Sequence, residues 1–121
     1  MKKYILLTLI AIALISVSCT DYTDPKIISG TIWRCSKFTD SEMAQTYEYV
    51  EVHFISETQL QMWEKKKNDY PYQSSGSLSY TISDKTLTIK VPTSQQDVTA
   101  TIENSELIMS FTNYTLTFTK L

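Results

Sequence analysis

From residue 31 onward, apolar and polar side chains alternate with a period of two, which restricts this chain more than any other feature of its sequence. Segments 78–82 and 87–91 each place apolar residues at every second position, and only Asp84 and Lys85 are needed as a turn between them. The two-residue turn sets three apolar pairs opposite each other: Ile82 with Leu87, Tyr80 with Ile89 and Leu78 with Val91. This agreement predicts an antiparallel hairpin with one apolar face.

The same agreement between turn length and apolar pairing is found for three further hairpins. Residues 98–102 pair with residues 107–111 through Asn104 and Ser105, and residues 107–111 pair with residues 114–118. Residues 50–54 match Leu60 and Met62 through a three-residue turn, and Trp33 and Cys35 supply the inner face of the first strand. Glu103 and Glu106 fall opposite each other on the outer face, an unfavourable pairing of like charges.

The pattern predicts an all-β domain, an eight-stranded antiparallel up-and-down meander barrel. Closure of the barrel would leave no exposed sheet edge. We expect one helical turn at residues 41–45, capped by Asp40 or Ser41. The strands are expected at residues 31–38, 46–55, 59–66, 77–83, 86–91, 97–103, 106–111 and 114–120.

The mature domain resembles the lipocalin-like (calycin-type) small barrels of Bacteroidota lipoproteins. The residues that carry the resemblance are Gly30 to Trp33 at the start of the first strand, the long meander, and the closing segment 114–120. The first strand differs from that of classical lipocalins, which open with Gly-x-Trp, because two residues separate Gly30 from Trp33. The resemblance therefore implies the barrel architecture.

The N-terminus has the layout of an export signal. Lys2 and Lys3 precede an almost wholly apolar run from Tyr4 to Val17, too short for a retained membrane span. Residues 15–19, Ile-Ser-Val-Ser-Cys, resemble the lipobox of bacterial lipoproteins, in which the cysteine is lipidated after cleavage in front of it. The resemblance implies lipidation of Cys19 and localisation at the outer membrane, on its periplasmic face or at the cell surface.

These boundaries divide the chain into three parts. Residues 1–18 form the cleaved signal, residues 19–29 the lipidated Cys19 with an extended, flexible tether, and residues 30–121 the barrel domain. If Cys19 carries lipid, Cys35 is a lone thiol in an oxidising compartment, where burial would protect it.

The composition excludes several function classes. With only Gly30 and Gly76, the chain has no Gly-rich phosphate loop or dinucleotide fingerprint, and its one histidine, His53, cannot build a His-rich metal site. Without the signal, nine Lys and Arg stand against 13 Asp and Glu, a formal charge of −4, which disfavours nucleic acid as a partner. We expect no cofactor, no metal and no catalysis, and interpret His53 as an ordinary histidine, exposed or partly covered.

The open end of the predicted barrel is the first candidate site. Loops one, three and five are long and lie at one end, whereas loops two, four and six are tight turns. Alternation turns a few residues inward near this mouth, and the two carboxylates among them would contact a ligand's amine or hydroxyls unless neighbouring lysines neutralise them. The candidate ligand-binding residues at the mouth are Glu48, Glu64, Phe111 and Tyr114.

Loop three supplies a second candidate site, a surface for contact with a sugar or a protein. It combines the aromatic residues Trp63, Tyr70 and Tyr72 with the basic run Lys65 to Lys67. Trp and Tyr are favoured at contact hot spots. The competing interpretation is a solvated hairpin whose aromatic rings lie back on the barrel.

Two functions are compatible with these patterns. The first is a noncatalytic, lipid-anchored binding or accessory module of the cell envelope, with a small apolar or glycan-like ligand. The second is a protein-binding module, such as an inhibitor of a lytic enzyme, because residues 75–80, Ser-Gly-Ser-Leu-Ser-Tyr, are similar to the signature of lipid-anchored lysozyme inhibitors. The short chain leaves little interior volume for a large ligand.

Overall fold

A computed structural model describes residues 20–68, 71–92 and 96–121. The predicted eight-stranded barrel is confirmed: all strands are antiparallel, follow each other in chain order, and close between the first and the last. In chain order the elements are α1 Pro25–Ile28, β1 Ile32–Cys35, α2 Ser41–Thr46, β2 Tyr47–Phe54, β3 Gln59–Lys66, β4 Gln73–Ser83, β5 Thr86–Lys90, β6 Val98–Glu103, β7 Glu106–Ser110 and β8 Thr115–Lys120.

The hairpin registers follow the predicted apolar pairs. Ile82 faces Leu87, and Phe54 faces Leu60. The predicted opposition of Glu103 and Glu106 is also present. Asp84 and Asn104 occupy the tight turns with positive φ angles of 55° and 54°, a conformation that Asp and Asn tolerate better than most residues. Turn chemistry and side-chain alternation therefore fix the same register.

The inward-facing residues form the core. Trp33, Phe54, Leu60 and Phe118 are among its largest fully buried side chains. Tyr80 packs edge-on against Phe54, with ring centroids 5.2 Å apart. Large apolar side chains therefore fill much of the barrel, as expected for so small a closed sheet.

The N-terminal segment differs from the extended tether predicted for residues 19–29. Pro25–Ile28 is a short helix, in which Asp24 accepts a hydrogen bond from the Lys26 amide and Pro25 occupies the first turn, where a missing N–H costs nothing. Ile28 is fully buried in the core. Tyr22 packs edge-on against Trp33, with centroids 5.1 Å apart. These residues close one end of the barrel and belong to the folded domain.

The second helix and two irregularities in the sheet shape the opposite end. Helix α2 begins after Asp40, which accepts a hydrogen bond from the Met43 amide at 3.0 Å, as expected for its cap. The β2–β3 register shifts between Tyr47 and Tyr49. A second shift separates Gln61 from Trp63 where β3 meets β4, and β4 begins four residues earlier than predicted. Each shift interrupts the simple alternation of side chains.

Candidate functional site

The predicted mouth residues lie at the long-loop end but do not converge on one cavity. Glu64 lines a cavity of about 310 Å³ between β2, β3 and β4, together with Val50, Met62 and Gln73. Phe111 and Tyr114 stack on each other instead, with ring centroids 4.8 Å apart.

The carboxylate of Glu48 lies outside this cavity. The register shift in β2 leaves the Glu48 side chain 58 % exposed, 3.6 Å from the Lys65 ammonium, so its expected inward orientation is not observed. Tyr47 packs against the core instead and contacts Phe38, with ring centroids 6.3 Å apart. Strict alternation does not predict this exchange, because it places Glu48, not Tyr47, on the inner face.

Tyr47 lies at the mouth near Glu64. Burial, followed by the charge of the Glu64 carboxylate, raises the pKa of Tyr47. On the other side, Tyr47 and Tyr114 line a second depression of about 390 Å³ beside helix α2. A further depression of about 210 Å³ is lined by Val98 and Phe111, so the mouth offers several small pockets in place of one deep chamber.

The second predicted site is more strongly organised. Trp63 and Tyr72 stack on the outer wall of the barrel, with centroids 4.5 Å apart and planes inclined by 25°. Tyr70, the third aromatic residue of this prediction, lies outside the described residues, as does Cys19. Around the stacked pair the structure assembles a group that we term the outer-wall cluster: Arg34, Tyr49, Glu51, His53, Trp63 and Tyr72.

A buried carboxylate lies at the centre of the outer-wall cluster. Glu51 is only 3 % exposed, although its side chain belongs to the solvent-facing side of β2. Its Oε2 accepts hydrogen bonds from Nε and Nη2 of Arg34 at 2.7 and 2.6 Å, and its Oε1 accepts from the Tyr72 hydroxyl and from Nε2 of His53, the latter at 2.8 Å. Burying a carboxylate is costly unless such donors surround it.

The protonation states of the cluster follow from these contacts. Burial alone would raise the pKa of Glu51, but the hydrogen bonds from Tyr72, His53 and Arg34 outweigh it and lower the pKa below its usual value. Burial and then the hydrogen bond to Glu51 raise the pKa of Tyr72. At neutral pH the cluster therefore holds a carboxylate, a guanidinium and a neutral phenol, so that the charges of Glu51 and Arg34 cancel.

The rings are fixed in place around this carboxylate. The Arg34 guanidinium lies 4.3 Å from the centroid of the Tyr49 ring, a cation–π contact. The His53 centroid lies 5.5 Å from Trp63 and 6.4 Å from Tyr72. Nε2 of His53 also lies 3.1 Å from the Tyr72 hydroxyl oxygen. The Tyr49 ring packs edge-on against Tyr72 with centroids 5.9 Å apart, and Tyr72 as a whole remains 38 % exposed.

Arg34, Glu51 and His53 were not predicted as site residues. Two signals point to them: β1–β2 pairing places Arg34 opposite Glu51, and β2–β3 pairing places Glu51 opposite Trp63. The position of Tyr72 depends on the irregular start of β4, which the alternation pattern does not contain.

Within 20–68, 71–92 and 96–121, no group of three or more His, Cys, Asp or Glu side chains is arranged to hold a metal ion. In the same ranges, no helix has the length and apolarity to cross a membrane.

The fold defines the class of protein: a closed, eight-stranded, antiparallel up-and-down barrel, compatible with a lipocalin-like fold. Compared with known proteins, the chain matches no protein-family model, no curated protein and no solved structure.

Proposed function

We propose that this chain is a lipid-anchored, noncatalytic binding protein of the bacterial cell envelope, which takes a glycan-like ligand on its outer-wall cluster. In this proposal it is a lipocalin-like outer-membrane lipoprotein of Bacteroidota, held by acyl chains on Cys19. The observation that carries the binding site is the partly exposed ring of Tyr72, which stacks on Trp63 and donates a hydrogen bond from its hydroxyl to the buried Glu51.

The chemistry of this surface favours a neutral, hydroxyl-rich ligand. Aromatic ring faces carry partial negative charge and attract the electropositive C–H groups of a sugar ring. Arg34 and His53 flank Tyr72 and supply polar groups for hydroxyls, while the Arg34 charge is balanced within the cluster. A ring that is already immobile loses little conformational entropy on binding.

The two tryptophans allow a direct test. The isotope-labelled chain would first be screened against immobilised envelope oligosaccharides and then titrated with the best-bound one while the indole N–H signals are followed by NMR. We expect the Trp63 signal to shift. The Trp33 signal should not move, since Trp33 is fully buried and donates to Oγ of Thr31.

Two tyrosine variants distinguish ligand binding at the outer-wall cluster from ligand binding at the mouth. Tyr72→Ala should weaken binding at least tenfold, about 1.4 kcal/mol, whereas Tyr114→Ala should leave it unchanged. The reverse result would contradict binding at the wall. Inhibition of lysozyme by the chain at micromolar concentration, without oligosaccharide binding, would favour the protein-binding alternative, an inhibitor of a lytic enzyme.

The mouth cavity supports a second candidate ligand, a small apolar molecule with one polar group. Its volume of about 310 Å³ is at the lower end of ligand pockets, and Glu64 and Gln73 supply polar atoms beside the apolar Val50 and Met62. Native mass spectrometry of the chain purified from its own membranes should then show a bound small molecule. Met62→Trp, which fills the cavity, should remove it, and a wild-type spectrum without added mass would contradict this candidate.

A further inference from the structure

We propose that the closed end of the barrel rests directly on the lipid surface, so that the mouth points away from the bilayer. The contact is made by a group that we term the closed-end patch: Ile27, Ile32, Ile55 and Leu121. This inference rests on the proposed lipid anchor at Cys19 and adds the orientation of the whole domain to it.

The closed-end patch consists of exposed aliphatic side chains. Five large hydrophobic residues are exposed among those that the structure describes, and these four are the aliphatic ones. The Leu121 amide donates to the Ile32 carbonyl at 2.9 Å, and Ile55 follows Phe54 into the β2–β3 turn. Isolated exposed aliphatic residues are common, but several at one end of a domain indicate a contact surface.

The start of the described chain lies at the same end. Thr20 and Tyr22 line a depression with Lys85 and Asn104, which belong to the tight turns there. Cys19 is one peptide unit from Thr20, and consecutive Cα atoms are about 3.8 Å apart. Because Thr20 lies beside the closed end, acyl chains on Cys19 would attach next to it, without the ten-residue tether that would let the barrel move away from the bilayer.

Charge selects the kind of lipid surface. At the tight turns of the closed end the acidic Asp84, Glu103 and Glu106 outnumber the basic Lys85, so an anionic membrane would repel this end. Insertion of the apolar closed-end patch, with acidic side chains beside it, is compatible with a zwitterionic lipid surface. We therefore expect closer contact with phosphatidylcholine vesicles than with vesicles that contain phosphatidylglycerol.

Site-specific fluorescence tests the orientation. The lipidated chain would carry an environment-sensitive fluorophore on Ile55→Cys or, as the matched control at the mouth, on Glu42→Cys; both positions are exposed, and native Cys35 is buried. After reconstitution into phosphatidylcholine vesicles with spin-labelled lipid, we expect at least twofold quenching at position 55 and none at position 42.

Vesicle flotation tests the proposed anchor independently of the orientation of the barrel. The lipidated chain should float with the vesicles, and Cys19→Ser should remain in solution. If the lipidated chain does not float, the anchor and the orientation are both wrong. If it floats but the two labels are quenched equally, or neither is quenched, the anchor stands and the orientation is overturned.

Discussion

At the scale of single residues, Glu51 is the most unusual group in the protein. The outer face of a small barrel can leave its charges in water, yet this carboxylate is buried and receives hydrogen bonds from Arg34, His53 and Tyr72. Burying an ion pair is a weak source of stability, because desolvation offsets most of the attraction. We therefore interpret Glu51 as a positioning residue, which holds the rings and the guanidinium of the outer-wall cluster in one arrangement.

Replacing this carboxylate should change both stability and its pH dependence. Glu51→Gln should lower the free energy of unfolding at pH 7 by about 1–3 kcal/mol, because the buried donors lose a charged acceptor. The pKa of Glu51 is lower in the folded state, so its contribution is present above the ordinary value of 4.5 and is lost as pH falls through the folded pKa.

Urea unfolding between pH 3 and pH 7, an estimated window for carboxylate titration, measures both effects. The wild-type chain should lose more stability towards acid than Glu51→Gln does. The control is Glu106→Gln, which relieves the repulsion with Glu103 and should be neutral or slightly stabilising. Identical acid profiles for wild type and Glu51→Gln would contradict this role of Glu51.

At the scale of elements, two register shifts and one short helix determine where the functional groups lie. The shift in β2 turns Tyr47 towards the core and leaves Glu48 in solvent. The irregular pairing of β3 with β4 brings Tyr72 onto the outer wall. Helix α1 covers the end of the barrel that carries the tight turns, because its last residue, Ile28, enters the core. The alternation of side chains did not predict this cover.

Adjacent isoleucines of α1 provide a matched test of this closure. Ile28→Ala should destabilise the fold by about 2–5 kcal/mol, because it opens a cavity in the core. Ile27 is exposed, so Ile27→Ala should change stability by less than about 0.5 kcal/mol. Thermal unfolding followed by circular dichroism compares the two. Equal, small effects would mean that α1 belongs to a tether and not to the domain.

At the scale of the whole molecule, the two ends of the barrel differ. The closed end carries the tight turns, helix α1 and both ends of the described chain, whereas the other end carries helix α2 and the longer connections. The outer-wall cluster lies on the side, across β1, β2, β3 and the start of β4. The proposed anchor, the proposed ligand surface and the mouth therefore belong to three separate parts of one small fold.

The reactivity of the Cys35 thiol measures how often the fold opens. Cys35 is buried in the core, and burial raises the pKa of its thiol, so it reacts slowly in the native state. In the unlipidated Cys19→Ser chain, reaction with a chromogenic disulfide reagent should occur only at the rate of global unfolding and become fast in urea. Fast reaction in native buffer, without loss of circular dichroism, would show that β1 opens locally.

Much of this architecture was predictable from the sequence, for a physical reason. In a sheet the side-chain period is two, so a register that is wrong by one residue would expose every apolar side chain of a strand. Ile82 and Leu87, or Phe54 and Leu60, therefore determine their own pairing, and the strand order follows from short turns. The alternation of residues and the lengths of the turns are properties of the chain itself.

The arrangement of the candidate sites was decided only in three dimensions. Alternation cannot locate a register shift, so it assigned Glu48 to the inner face and contained no sign that Tyr72 reaches Glu51. Local composition suggested a tether at residues 19–29, but Ile28 gains more from burial in the core at the closed end of the barrel than from solvent exposure. Sequence determined which residues face each other across strands; packing between distant segments decided which of them form a site.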